Sequence, residues 1–114
     1  MSPRDWTLRI EDILESMDRI QQYTQGMSFT EFSSDRKTVE AVVYNLVIVG
    51  EAATHVPEGI VSAHPDVPWE KMRAMRNVIV HTYFGVRKQI VWETVKNDLP
   101  ELVPLLKRLL PEGP

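Results

Sequence analysis

Apolar residues recur along the chain at spacings that predict helices. Trp6, Ile10, Ile13, Met17 and Ile20 stand four, three, four and three residues apart, which puts them in one stripe on a helix of 3.6 residues per turn. Ser2 and Pro3 supply the start, the serine as N-cap and the proline in the first turn, and the pattern ends near Gly26. Residues 28–33 leave room for a single turn. A second stripe follows an Asp35 cap, with Val39, Val42, Val43, Leu46, Val49 and Ala53, and stops before Pro57. Valine prefers strands, but the period here is helical and packing overrides so weak a propensity.

The stretch 56–67 contains Pro57 and Pro65 and is followed by Pro68, so it reads as loop with at most one short helix around Glu58–Ala63. Pro68 suits the first turn of a third helix, which carries Trp69, Met72, Met75, Ile79 and Val80 to about Thr82, with Gly85 placed to end it. A fourth begins at about Arg87 and presents Ile90, Val91, Val95 and Leu99. Pro100 either kinks that helix or opens a fifth at an Asp98 cap, with Leu102, Val103, Leu106 and Leu110 as its apolar face. There is no internal repeat, no low-complexity tract and no glycine-rich phosphate loop. The expected fold is all-α, an antiparallel bundle of four to five helices forming one domain over residues 1–114. A chain of that length buries roughly 65% of its unfolded surface, enough for a core.

Composition adds little to this until charge is mapped. Hydrophobic residues at 43% and charged residues at 25% are ordinary for a globular protein. The absence of cysteine excludes disulfides, thiolate metal sites and a cysteine nucleophile. The opening MSPRDW carries charge where a signal peptide needs an apolar core, and apolar runs such as 46–49 are far too short to span a bilayer, so a cytoplasmic location is expected. A net charge of -3 argues against coating nucleic acid by bulk electrostatics. Yet residues 70–88 hold Lys71, Arg73, Arg76, Arg87 and Lys88 against Glu70 alone, so this segment is +4 on a body of -7.

That basic patch coincides with RNVIVHTY at 76–83, where an arginine, an asparagine, a histidine and a tyrosine interrupt an apolar segment. On a helix, Asn77 and His81 share a face and Arg73 lies one turn further back on it, whereas Arg76 points roughly 140° away from His81. Three arrangements bring Arg76 and His81 to one point. The long arginine reaches around, the helix unwinds before His81, or a two-fold interface sets a second chain's motif opposite the first. The chemistry these residues suit is metal-free RNA cleavage: a histidine titrating near neutrality moves protons to and from ribose and leaving-group oxygens. An arginine fork holds the scissile phosphate, Asn77 orients the imidazole or donates to phosphate, and Tyr83 stacks or hydrogen-bonds at the rim.

Spacing alone favours a plainer reading, in which His81 sits at a helix terminus and Arg76 pairs with an acidic neighbour. Glu51 is the candidate, as a structural counter-charge beside Gly50, whose missing side chain lets another helix approach. The other candidates are weaker. His55 and His64 flank the proline-containing loop and read as surface histidines, with no metal site expected. Trp69 and Trp92 suit core or interface anchors, and Tyr23 and Tyr44 fit the apolar faces of their helices.

The stretches NLVIVGEAA at 45–53, PDVPWEKMRAMRN at 65–77, RNVIVHTY at 76–83, and the YFGV and IVWETV that follow occur in order across residues 8 to 110. In that combination the chain resembles the HEPN domain family, and within it the HepT-like ribonuclease toxins paired with a minimal nucleotidyltransferase antitoxin. The family signature of Arg, four to six residues, then His falls on Arg76 and His81, with the tyrosine of the HepT-like branch at Tyr83. The resemblance outweighs the plainer reading. It implies a two-fold homodimer of helical bundles with facing motifs, acting as a metal-independent endoribonuclease on tRNA or mRNA and leaving a cyclic phosphate, with no cofactor. Arg76 and His81 would be catalytic and Asn77, Arg73 and Glu51 supporting. It further implies a type VII-like toxin–antitoxin pair in which the nucleotidyltransferase silences the enzyme by placing AMP on Tyr83. Each AMP brings a negative phosphate and a bulky base beside the motif, which repels and blocks RNA. Two other classes compete: a non-catalytic partner that binds nucleotide or the nucleotidyltransferase through the same surface, and a structural dimerisation bundle, for which Arg76→Lys is harmless.

Overall fold

The computed structural model of the chain describes residues 3–77 and 87–111. Those residues are mostly helical and contain no strand. The expected Ser2 cap and the positions Ile79, Val80, His81, Thr82, Tyr83 and Gly85 lie outside them.

Helix α1, Pro3–Thr24, buries Ile10, Ile13, Met17 and Ile20 completely. Thr24 closes it by bonding its hydroxyl back to the Ile20 carbonyl at 2.9 Å, and Gly26 turns the chain at φ 77°, a conformation that suits a residue without Cβ. The single turn expected next is α2, Phe29–Ser34. A capping box starts it: the Glu31 N–H donates to Ser28 Oγ at 3.1 Å and the Ser28 N–H donates to Glu31 Oε1 at 2.9 Å. Asp35 then caps α3, Arg36–Thr54, accepting from the Thr38 hydroxyl at 2.7 Å and the Thr38 N–H at 3.3 Å. The α1–α3 pair is the most extensive helix pairing, and it buries Val42, Val43, Leu46 and Val49 against the α1 stripe.

Helix α4 has the expected bounds, Glu58–Ala63. The buried Trp69 ties the following loop to α5, Trp69–Ala74, by donating its indole N–H to the His64 carbonyl at 3.0 Å. Here the structure departs from one unbroken α-helix running to about residue 82: from Met75 to Asn77 the chain tightens into a 3₁₀ turn. Helix α6, Lys88–Glu93, continues through a π turn over Thr94–Asp98 into α7, Leu99–Lys107. Pro100 accounts for the π turn. Lacking an N–H and crowding the carbonyl four residues back, it lies just beyond the point where the Leu99 N–H reaches five residues back to the Thr94 carbonyl. Asp98 makes no side-chain cap bond; its carboxylate takes Lys71 Nζ at 3.0 Å, joining α5 to the π turn.

Two expectations about tyrosines are corrected. Tyr44 is 68% exposed and Tyr23 42% exposed, whereas the sequence pattern places both on apolar faces. On α3 the inward direction is taken by Val39, Val42, Val43, Leu46 and Val49, and Tyr44 points roughly 160° from their mean. Trp69 is a core residue. Trp92 packs on Phe32 at a ring-centroid distance of 5.0 Å and on Phe29 at 6.3 Å, with Lys96 over its face at 4.6 Å.

Candidate functional site

The site begins with a backbone contact. At Gly50, near the C-terminal end of α3, a Cβ would overlap the backbone nitrogen of Arg76 and stand 2.8 Å from its Cβ. Glycine is what lets the 3₁₀ turn lie directly against α3, and the contact fixes where the Arg76 side chain starts. One residue on, Glu51 faces outward, and its Oε1 lies 4.0 Å from Arg76 Nη1. The expected counter-charge is therefore in place. The Arg76 side chain is 48% exposed, and an ion pair that open to water contributes about 0–1 kcal/mol. It steers the guanidinium without locking it.

The turn also decides which motif residues meet. Arg73 near the end of α5 and Arg76 and Asn77 in the 3₁₀ turn all line one recess of about 260 Å³, bordered on the α3 side by Thr54. Arg73 donates to Glu70 Oε1 at 2.7 Å and lies 4.0 Å from Glu58 Oε2. Thus Arg73, Arg76, Asn77 and Glu51, all expected at the site from sequence, are brought together. The α-helical winding gives way to the tighter 3₁₀ turn at Met75, ahead of His81 in the chain. Catalytic candidate His81 and Tyr83 lie outside the described residues.

Sequence reading did not anticipate Thr54, Glu58 and Glu70 here. Thr54 carries a usable signal, standing three residues after Glu51 on the same helix; its hydroxyl donates to the Glu51 carbonyl at 2.6 Å. Glu58 comes from α4, and no periodicity announces which way that short helix packs. His55 is exposed, its Nδ1 2.9 Å from the Glu51 carbonyl, and His64 serves through its backbone carbonyl. Among the described residues no three His, Asp or Glu side chains cluster as a metal site, and no helix is long and apolar enough to cross a membrane.

Chemically, two guanidiniums and an amide around one opening are hydrogen-bond donors suited to phosphate oxygens, with the Glu70 carboxylate also in the lining. Comparison with known proteins agrees. The family model for ribonuclease HepT-like proteins matches residues 13–109. A Thermococcus cleftensis protein named probable ribonuclease HepT is 39% identical over 100 residues, covering 88% of this chain and 91% of that protein. A Methanocaldococcus jannaschii protein provisionally named an RNase is 36% identical over 110 residues, covering 96% and 91%. A third, from Caldanaerobacter subterraneus and also provisionally named an RNase, is 36% identical over 101 residues, covering 89% and 90%. No solved structure matches at a significant level. With a family match running nearly from end to end and a donor-lined recess at the signature arginine, the chain belongs to the ribonuclease HepT-like family.

Proposed function

We propose that this protein is an endoribonuclease toxin that cuts tRNA or mRNA without a metal ion. The observation that carries the reading is Arg76, held half-exposed by Gly50 and Glu51 at the mouth of a donor-lined recess in a chain of the ribonuclease HepT-like family. His81 removes the proton from a ribose 2′-hydroxyl, and the freed oxygen attacks the adjacent phosphorus. The bond to the 5′-oxygen breaks, that oxygen takes a proton, and a 2′,3′-cyclic phosphate remains. Arg76 binds the phosphate and stabilises the charge that gathers on it, with Asn77 as a positioning residue. In a two-fold homodimer two copies of His81 divide the acid and base roles. A nucleotidyltransferase antitoxin transfers AMP from ATP to Tyr83, and the added charge and bulk close the site.

One experiment addresses both enzyme and control. The protein is purified alone and after co-expression with the candidate nucleotidyltransferase, its intact mass is taken, and each form is incubated with total tRNA and with mRNA in the presence of a chelator. Expected are cleavage by the unmodified form, whole AMP increments on Tyr83 in the other, and inactivity of the modified form. His81→Ala and Arg76→Ala each cost at least about 100-fold in rate while keeping the helical spectrum. Cleavage by His81→Ala at the wild-type rate would overturn the assignment, and an unmodified wild type that leaves RNA intact would leave a non-catalytic partner as the better reading.

A further inference from the structure

Arg73 has no task in the chemistry just described, yet it is the better placed of the two guanidiniums to hold something in the recess. Its side chain is only 23% exposed, while the carboxylates that hold it, Glu58 and Glu70, are 78% and 88% exposed. The recess runs from Arg73 past Ala74 to Arg76 and Asn77, with Thr54 opposite. Side chains three apart on a helix stand roughly 5–6 Å from one another at Cβ, comparable to the separation of successive phosphates in an extended strand. From this we infer that the recess is a second phosphate subsite, in which Arg73 binds the phosphodiester next to the one at Arg76, with the Asn77 amide as a further hydrogen-bond donor.

The proposal rests on the ribonuclease reading for the identity of the strand but not for the existence of the site. Its electrostatics make it unusual. Three glutamates, Glu51, Glu58 and Glu70, surround two arginines, so the recess by itself is not electropositive by count. Glu70 occupies a hydrogen-bonding position of Arg73 that a phosphate oxygen would take, at 2.7 Å, while Glu58 and Glu51 stand 4.0 Å from Arg73 and Arg76 as looser counter-charges. Exposed pairs of this kind are weak, and a phosphodiester that exchanges for them forms charge-assisted bonds at no cost in reorienting the arginine. The glutamates are therefore competitors of the strand as well as its placeholders.

That dual role gives opposite signs for opposite partners. Binding is measured by fluorescence anisotropy across a salt series, using the full-length protein and a short single-stranded oligoribonucleotide with 2′-O-methyl sugars, which cannot be cleaved by 2′-hydroxyl attack. Arg73→Ala is expected to weaken binding roughly tenfold and to reduce the slope of log K against log salt by about 0.7, the value for one lost single-strand contact. Glu58→Gln and Glu70→Gln should each tighten it. If Arg73 serves only to bridge α5 to α4, Glu58→Gln will behave like Arg73→Ala or leave binding unchanged, and the subsite is overturned. It is equally overturned if Arg73→Ala binds as wild type with the same slope, or if the wild type does not bind the oligonucleotide. Arg73→Lys, which keeps the charge and loses the fork, guards against misfolding of the alanine variant and should retain the salt slope while losing part of the affinity. Failure to cleave natural RNA, with Arg73-dependent binding intact, would strike the ribonuclease reading and leave the subsite standing.

Discussion

A methyl group at position 50 would meet the backbone of Arg76 rather than a side chain that can swing away. Backbone cannot yield without moving the whole 3₁₀ turn, so Gly50→Ala is expected to cost about 1–3 kcal/mol by overpacking, in spite of alanine's better helix propensity. Gly59→Ala is the matched control. Position 59 lies in α4, where an added methyl would have nothing within 4 Å, so the same change there is expected to be neutral or to stabilise by up to about 1 kcal/mol. Urea denaturation of the two variants checks the pair, and equal stabilities would mean that the close contact does not constrain the fold. Much of this scale was legible in the sequence: a lone glycine inside an apolar helical stripe, next to a glutamate, signals close approach and a counter-charge. Tyr44 was not legible, because aromatic character does not report direction and its outward angle follows only once the inward set of valines is known.

Between elements, the two charged caps at the α2–α3 junction make a test by pH. Glu31 is held below the ordinary carboxylate value by the Ser28 backbone N–H and then the Ser28 hydroxyl; Asp35 is held below it by the Thr38 hydroxyl and then the Thr38 N–H. Each group binds a proton less readily folded than unfolded, so its contribution is complete above the ordinary carboxylate range and disappears as pH falls through the lowered folded values. Wild type should exceed the Glu31→Gln/Asp35→Asn variant in urea midpoint at neutral pH, and the gap should close in acid. A gap that does not change with pH would show that the caps act without their charge. Helix boundaries were readable where caps and prolines act locally, as Asp35 does at the start of α3 and Pro57 beyond its end. The interruptions inside elements were not. The 3₁₀ turn answers to Gly50 on another helix, and the π turn spreads the effect of Pro100 over preceding residues, where the sequence offered only a kink or a fresh cap.

For the whole molecule, the helical class and the single bundle follow from periodicity, because buried stripes on successive helices leave few ways to make a core. Assembly does not follow from it. The proposed two-fold dimer predicts that sedimentation equilibrium finds twice the chain mass of 13.1 kDa; a monomer at micromolar concentration would remove the shared active site and leave each His81 to work with its own Arg76. Charge has its consequence at this scale too. A chain of net charge -3 repels nucleic acid in bulk, and Arg73 and Arg76 each sit behind carboxylates of their own. A lone phosphate ion, of which a cell holds a great many, can displace one such guard and gains little by doing so. A strand presents two phosphates at once, and once the first has seated, the second arrives at high local concentration. With both proposed phosphate subsites in use, the guarded pair of arginines is expected to filter for connectivity, indifferent to the abundant monomer and responsive to the polymer.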